Sequence, residues 1–248
     1  NWFTYFKRLF QKGDEVIVAR IKKKKPILHF ATHNLLAFSD PIFTALGDRA
    51  IILEVVRHPL YMIVQQTFNQ INSHQQYGTA RQFHLYIKYK INQLPYWNYG
   101  QEKLYIESKP VERAIYEMQN ISRLTKTAKI DKLRKNNSQI LTIPFEPFVL
   151  NPEPYLQKIV NLLKTQMTSK TRKTIKKQNV PRKTISDGIP LAIYKRCGWE
   201  PPVVGFSEID ELKKRRDFAV SEGASKKALE VLDKMSEEYE KQYLYGIL

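Results

Sequence analysis

PILHFATHN at residues 26–34 and AIILEVVRHP at residues 50–59 decide how this chain is read. Each is a nearly unbroken run of aliphatic and β-branched residues that stops at a polar cluster, the pattern of a parallel strand buried on both faces. Strands are therefore expected over 27–32 and 50–56, with His33 and Arg57 at their polar tips. In an open α/β sheet the carboxyl ends of the strands form the rim of the ligand crevice. An imidazole and a guanidinium on adjacent strand ends would face a common site.

Working outward, Pro59 occupies a first-turn helical position, and Leu60 to Asn72 carries apolar residues at Met62, Ile63, Phe68 and Ile71, which completes a strand-turn-helix unit. A third strand is expected at ILTIPF, residues 140–145. Further helices are expected over 2–12, 40–47, 111–129, 208–220 and 224–240, and one in NPEPYLQKIVNLLK, with Asn151 as its cap and Pro152 just inside. Between residues 83 and 91, Phe83, Ile87 and Ile91 fit one helix face. Pro95 breaks that helix, and Trp97, Tyr99 and Gly100 make a turn. From residue 168 the texture turns polar and basic, as a short helix and loop.

The chain has 248 residues, enough for one large α/β domain with a full core. Its 41 Lys and Arg against 24 Asp and Glu leave a formal charge of +17, so its field attracts anions: phosphorylated nucleotides, nucleic acid, acidic glycans or an acidic membrane surface. The basic runs at 21–26, 129–135 and 170–177 also suit solvated faces. Cys197 is the single cysteine, which rules out an intramolecular disulfide and suggests a reducing, cytoplasmic setting with a buried structural thiol. No histidine, cysteine or acid spacing suits a metal, and none is expected. There is no apolar run long enough to span a bilayer, and residues 1–13 lack the apolar core of a signal peptide.

The order of elements is more specific than any one of them: a strand ending in THN, a strand ending in VVRHP, a helix, a long helical insert, a strand running into IPFEPFVLNPEPYLQKIVNLL, and a basic loop. Over residues 27–183 this resembles the sulfotransferase superfamily, whose members use 3′-phosphoadenosine 5′-phosphosulfate (PAPS). The resemblance implies an α/β, three-layer, P-loop NTPase-like fold with a central parallel sheet flanked by helices. It would form a single domain over 1–248, mainly 27–183, followed by C-terminal helices within 208–240. It further implies that His33, after Thr32, is the catalytic base, and that Arg57, in the Arg-His-Pro turn, binds the 3′-phosphate of the nucleotide. Gln65 stands where the family places a serine on the same phosphate. Arg182 and Lys183 in NVPRK, with Gly188 beyond, correspond to the late basic loop that clamps it. Phe145 and Glu146 occupy the place of a Tyr-Glu pair near the adenine, with no catalytic role for Glu146.

The residue chemistry agrees with those roles. A phosphate dianion is well held by the planar fork of an arginine next to a helix N-terminus. A histidine with a near-neutral pKa can deprotonate an attacking hydroxyl or amine. Two features depart from the family. Nothing in residues 1–25 forms a strand with a Gly- and Ser/Thr-rich turn to cradle the 5′-phosphosulfate, and KGDE places two acids there. The abrupt start at Asn1 favours a missing N-terminal strand and loop over loss of activity. Secondly, Tyr61 and Gln65 replace an acid and a serine.

The expected function is thus transfer of a sulfuryl group from PAPS to a hydroxyl or amine of a small molecule, lipid or glycan; adenosine 3′,5′-bisphosphate is the product. The alternative is an inactive sulfotransferase-like anion or polyanion binder. Nucleic acid is not the expected partner, and no GxxxxGK[ST] motif supports a P-loop kinase.

Overall fold

The computed structural model describes residues 2–10, 14–24, 27, 29–75, 86–134, 139–185, 187 and 207–245. The chain is α/β and mostly helical, with a small parallel sheet, and it divides into two units, Asn1–His33 and Asn34–Leu248.

The first unit holds α1 (Trp2–Leu9) and α2 (Asp14–Lys24). No strand forms among the described residues from 27 to 33, which corrects the expectation for 27–32. An apolar run becomes a strand only when its backbone groups find a partner strand, and Ile27 and Phe30 here stand 65% and 71% exposed. His29, expected to pack, is exposed as well.

In the second unit, a 3-10 turn (Leu36–Phe38) and α3 (Asp40–Leu46) lead to β1 (Ile52–Val56). β1 runs parallel to β4 (Ile140–Pro144), with Ile52 opposite Ile140 and Val56 opposite Pro144. That pair is the expected 50–56 and 140–145 reading with ends trimmed. β1 is not buried on both faces: Ile52 is covered by Leu36, Phe43 and Ala50, whereas Leu53 and Val55 on the other face are exposed. The half-buried face also carries Glu54, which pairs with Lys129 and accepts the Thr142 hydroxyl at 2.7 Å.

Four helices build the main core. α4 (Pro59–Gln75) and α6 (Pro110–Arg134) contribute Ile63, Val111, Ala114 and Ile115. Packed on them are α10 (Glu208–Ser221) and α11 (Lys226–Tyr239), through Leu212, Ala219, Ala228 and Leu232. Ser207 and Ser225 cap these two helices by accepting the amides of Asp210 and Ala228. A turn of π-helix, Glu240–Leu244, continues α11. The remaining elements are α5 (Glu102–Glu107), α7 (Phe145–Leu150), α8 (Glu153–Leu162) and α9 (Ser169–Lys177).

Two local expectations are corrected. Residues 86–95 form an antiparallel hairpin, β2 (Tyr86–Tyr89) with β3 (Asn92–Pro95), in place of a helix face. Lys90 turns the chain at φ 55°, and Ile91 is fully outside; alternation in YIKY outweighed the weaker four-residue spacing. Asn151 does not cap α8, whose N-cap is Pro152; its amide instead closes α7 on the Pro147 carbonyl at 2.9 Å. Phe83, Cys197 and Gly188 lie outside the described residues.

Candidate anion site at the carboxyl ends of β1 and β4

Arg57 follows the last residue of β1 and Phe145 follows the last residue of β4, so the parallel pairing sets them side by side at the carboxyl edge of the sheet. The Arg57 guanidinium lies 4.9 Å from the centre of the Phe145 ring. Arg182, from the basic loop, approaches the same ring at 5.4 Å. Two cations at one aromatic ring gain from its quadrupole and lose by mutual repulsion, so an anion within reach of both would relieve that repulsion.

The loop carrying Arg182 is held at both ends. Its amide donates to the Val149 carbonyl at 2.7 Å, and its guanidinium donates to the Ile185 carbonyl at 2.9 Å. The Ile185 amide in turn donates to Glu208 at the start of α10, and Ile185 itself is part of the main core. Tyr61 donates to the other oxygen of Glu208 at 2.5 Å, and the guanidiniums of Arg57 and Arg215 lie 5.7 and 4.9 Å from the centre of its ring. Gln65 is half-buried one turn further along α4, on the side of Tyr61. Lys183 is exposed.

Beneath Arg57 is a buried carboxylate that the sequence reading left without a role. Glu146 is 0% exposed. One oxygen accepts the His58 amide at 3.2 Å and lies 3.7 Å from Arg57 Nε; the other accepts the Tyr239 hydroxyl at 2.5 Å. Burial, then the Glu146 charge and hydrogen bond, push the Tyr239 hydroxyl far above its ordinary range, so it stays protonated and donates. Arg57 is one-third exposed, with 32% of its side chain accessible.

His58, fully buried, accepts the Leu60 amide on Nδ1 at 3.1 Å, so its Nε2 carries the hydrogen donated to Glu240 at 3.0 Å. The first amides of α4 are therefore already taken, Leu60 by the His58 ring and Tyr61 by the His58 carbonyl. An anion here relies on guanidinium groups, not on the helix N-terminus that the sequence reading invoked.

Burial lowers the His58 pKa below its ordinary 6.5, against the raising effect of Glu240. The folded chain binds this proton less readily than the unfolded one, so the stability it contributes is present above pH 6.5 and is lost as pH falls through the lowered folded value. Urea midpoints measured at about pH 7.5 and about pH 5 should fall further for the wild type than for His58→Gln. Equal falls would show that His58 does not titrate this way.

His33 is placed otherwise than expected. It is exposed, ends the first unit, and follows no strand among the described residues, while β1 takes β4 as its neighbour. The adjacent strand ends that were to bring His33 beside Arg57 are thus not formed. Of the expected site residues, Arg57 and Arg182 are brought together at Phe145, with Gln65 on the adjoining helix.

Comparison with known proteins adds no relative: no family model matches the chain, and no curated protein or solved structure matches it significantly. Among the described residues, no helix is long and apolar enough to cross a membrane, and no cluster of His, Cys, Asp and Glu could hold a metal ion.

Proposed function

We propose that this chain is a sulfotransferase-type protein in which Arg57 and Arg182 hold the 3′-phosphate of PAPS, with Gln65 beside them. The observation that carries the reading is the convergence of these two guanidiniums, remote in sequence, over Phe145 at the carboxyl edge of the parallel pair. Such an edge is where open α/β sheets bind ligands. Two planar forks suit a phosphate dianion better than a single cation does. PAPS would supply an activated sulfuryl group for transfer to a hydroxyl or amine of a small-molecule, lipid or glycan acceptor. In this reading the central sheet and its helices belong to the three-layer, P-loop-like arrangement.

The alternative, a nucleotide-anion binder without transfer activity, is favoured by His33, which is exposed and follows no strand among the described residues. Both readings share the 3′-phosphate site and differ only in transfer. Thermal unfolding of the full chain tests the shared part: adenosine 3′,5′-bisphosphate should raise the midpoint in proportion to its occupancy. No shift at saturating concentration would reject both. Release of adenosine 3′,5′-bisphosphate from PAPS, dependent on an acceptor, then separates enzyme from binder.

A further inference from the structure

We infer that Tyr239 is a positioning residue for the Arg57 anion site, acting through the buried carboxylate of Glu146. This rests on the nucleotide-binding reading above and adds to it a residue from the C-terminal helix.

The connection is continuous. α11 is fixed in the core by Ala228 and Leu232, both fully buried, so the hydroxyl at its last residue has a defined position. That hydroxyl donates to Glu146 at 2.5 Å and lies 3.4 Å from the Val56 carbonyl, at the tip of β1. Its single hydrogen can serve only one acceptor fully, and the charged carboxylate at the shorter distance takes it. Glu146 then has one oxygen committed to Tyr239 and the other turned to the His58 amide and Arg57 Nε.

A carboxylate with both oxygens hydrogen-bonded has a fixed orientation, and one of those oxygens stands 3.7 Å from the Nε of Arg57, whose guanidinium lies against the Phe145 ring. The adjacent turn reinforces the arrangement, because Glu240 accepts from His58 and the His58 ring stands 5.4 Å from that of Tyr239. The C-terminal helix is therefore a brace for a site built on β1 and β4. Without the hydroxyl, Glu146 can turn, and Arg57 loses its fixed approach to a ligand phosphate.

The test is a double-mutant cycle on adenosine 3′,5′-bisphosphate binding, followed by titration calorimetry of the full chain. Tyr239→Phe should weaken binding about five- to tenfold, the size of a typical net hydrogen-bond contribution passed on to the site. In an Arg57→Ala background the same change should have almost no further effect. Ser236→Ala, one turn earlier on α11, where the hydroxyl bonds only its own helix at Leu232, should leave affinity unchanged. Equal losses from Tyr239→Phe with and without Arg57 would overturn the proposal.

If the wild type does not bind the nucleotide, the functional reading fails, but the brace is still tested. The Arg57 Nε–H resonance should move in Tyr239→Phe while that of Arg113, which donates to the Tyr105 carbonyl, stays in place. A stationary Arg57 signal would contradict the brace.

Discussion

Replacing Glu146 with alanine should destabilise the protein by about 3 kcal/mol, read as a lower urea midpoint at unchanged slope. The change removes the acceptor for two donors, the His58 amide and the Tyr239 hydroxyl, and the counter-charge of the Arg57 guanidinium. The first two are in buried surroundings and would be left unpaired, which is what makes the loss large. Arg57 is partly exposed, so water recovers some of its share. Glu146→Gln should cost less, because the amide oxygen can still accept from Tyr239, but its NH₂ faces donors on the other side. A midpoint within experimental error of wild type for both variants would mean that the carboxylate does not organise this region.

The second large effect is on the ligand. Arg57→Ala should raise the Kd for adenosine 3′,5′-bisphosphate about 100-fold, corresponding to the ~3 kcal/mol of a forked guanidinium-phosphate contact. Arg57→Lys should recover only part of that, since an ammonium supplies charge without the planar pair of donors or the same stacking on Phe145. Lys183→Ala should change the affinity little, because that side chain is exposed and a solvated charge contributes weakly. Calorimetry on the three variants distinguishes a built site from general attraction by the +17 charge: in the second case Arg57→Ala and Lys183→Ala would weaken binding slightly and alike, and Arg57→Lys, which keeps the charge, would not weaken it.

Local pattern made β1, β4, α4, α6 and the two C-terminal helices legible. The ILEVV run is apolar and mostly β-branched apart from Leu53 and Glu54, Pro59 marks the start of α4, and the spacing of Ile115, Met118, Ile121 and Leu124 suits a single helix face. Residues 27–32 show the limit of that reasoning. Their composition matches a strand as well as that of residues 52–56 does, but strand formation is a property of pairs, and the pairing observed joins β1 to β4.

The site was half legible for a similar reason. Arg57 and Arg182 could be singled out because each sits in a recognisable local context, an Arg-x-Pro turn and a basic loop. Glu146 and Tyr239 lie 93 residues apart, and helical spacing groups Tyr239 with Ala228 and Leu232 on one face without showing what its hydroxyl meets. His58 carries no signal of its own within the Arg-His-Pro turn; its burial and its cap on α4 become visible only in three dimensions.

The most direct test of the account is the affinity ratio between adenosine 3′,5′-bisphosphate and adenosine 5′-monophosphate, measured for the wild type and for the Arg57→Ala/Arg182→Ala double variant. Two guanidiniums dedicated to the 3′-phosphate predict a strong preference for the bisphosphate in the wild type and its disappearance in the double variant. An equal ratio in the two proteins would contradict the assignment of Arg57 and Arg182 to that phosphate.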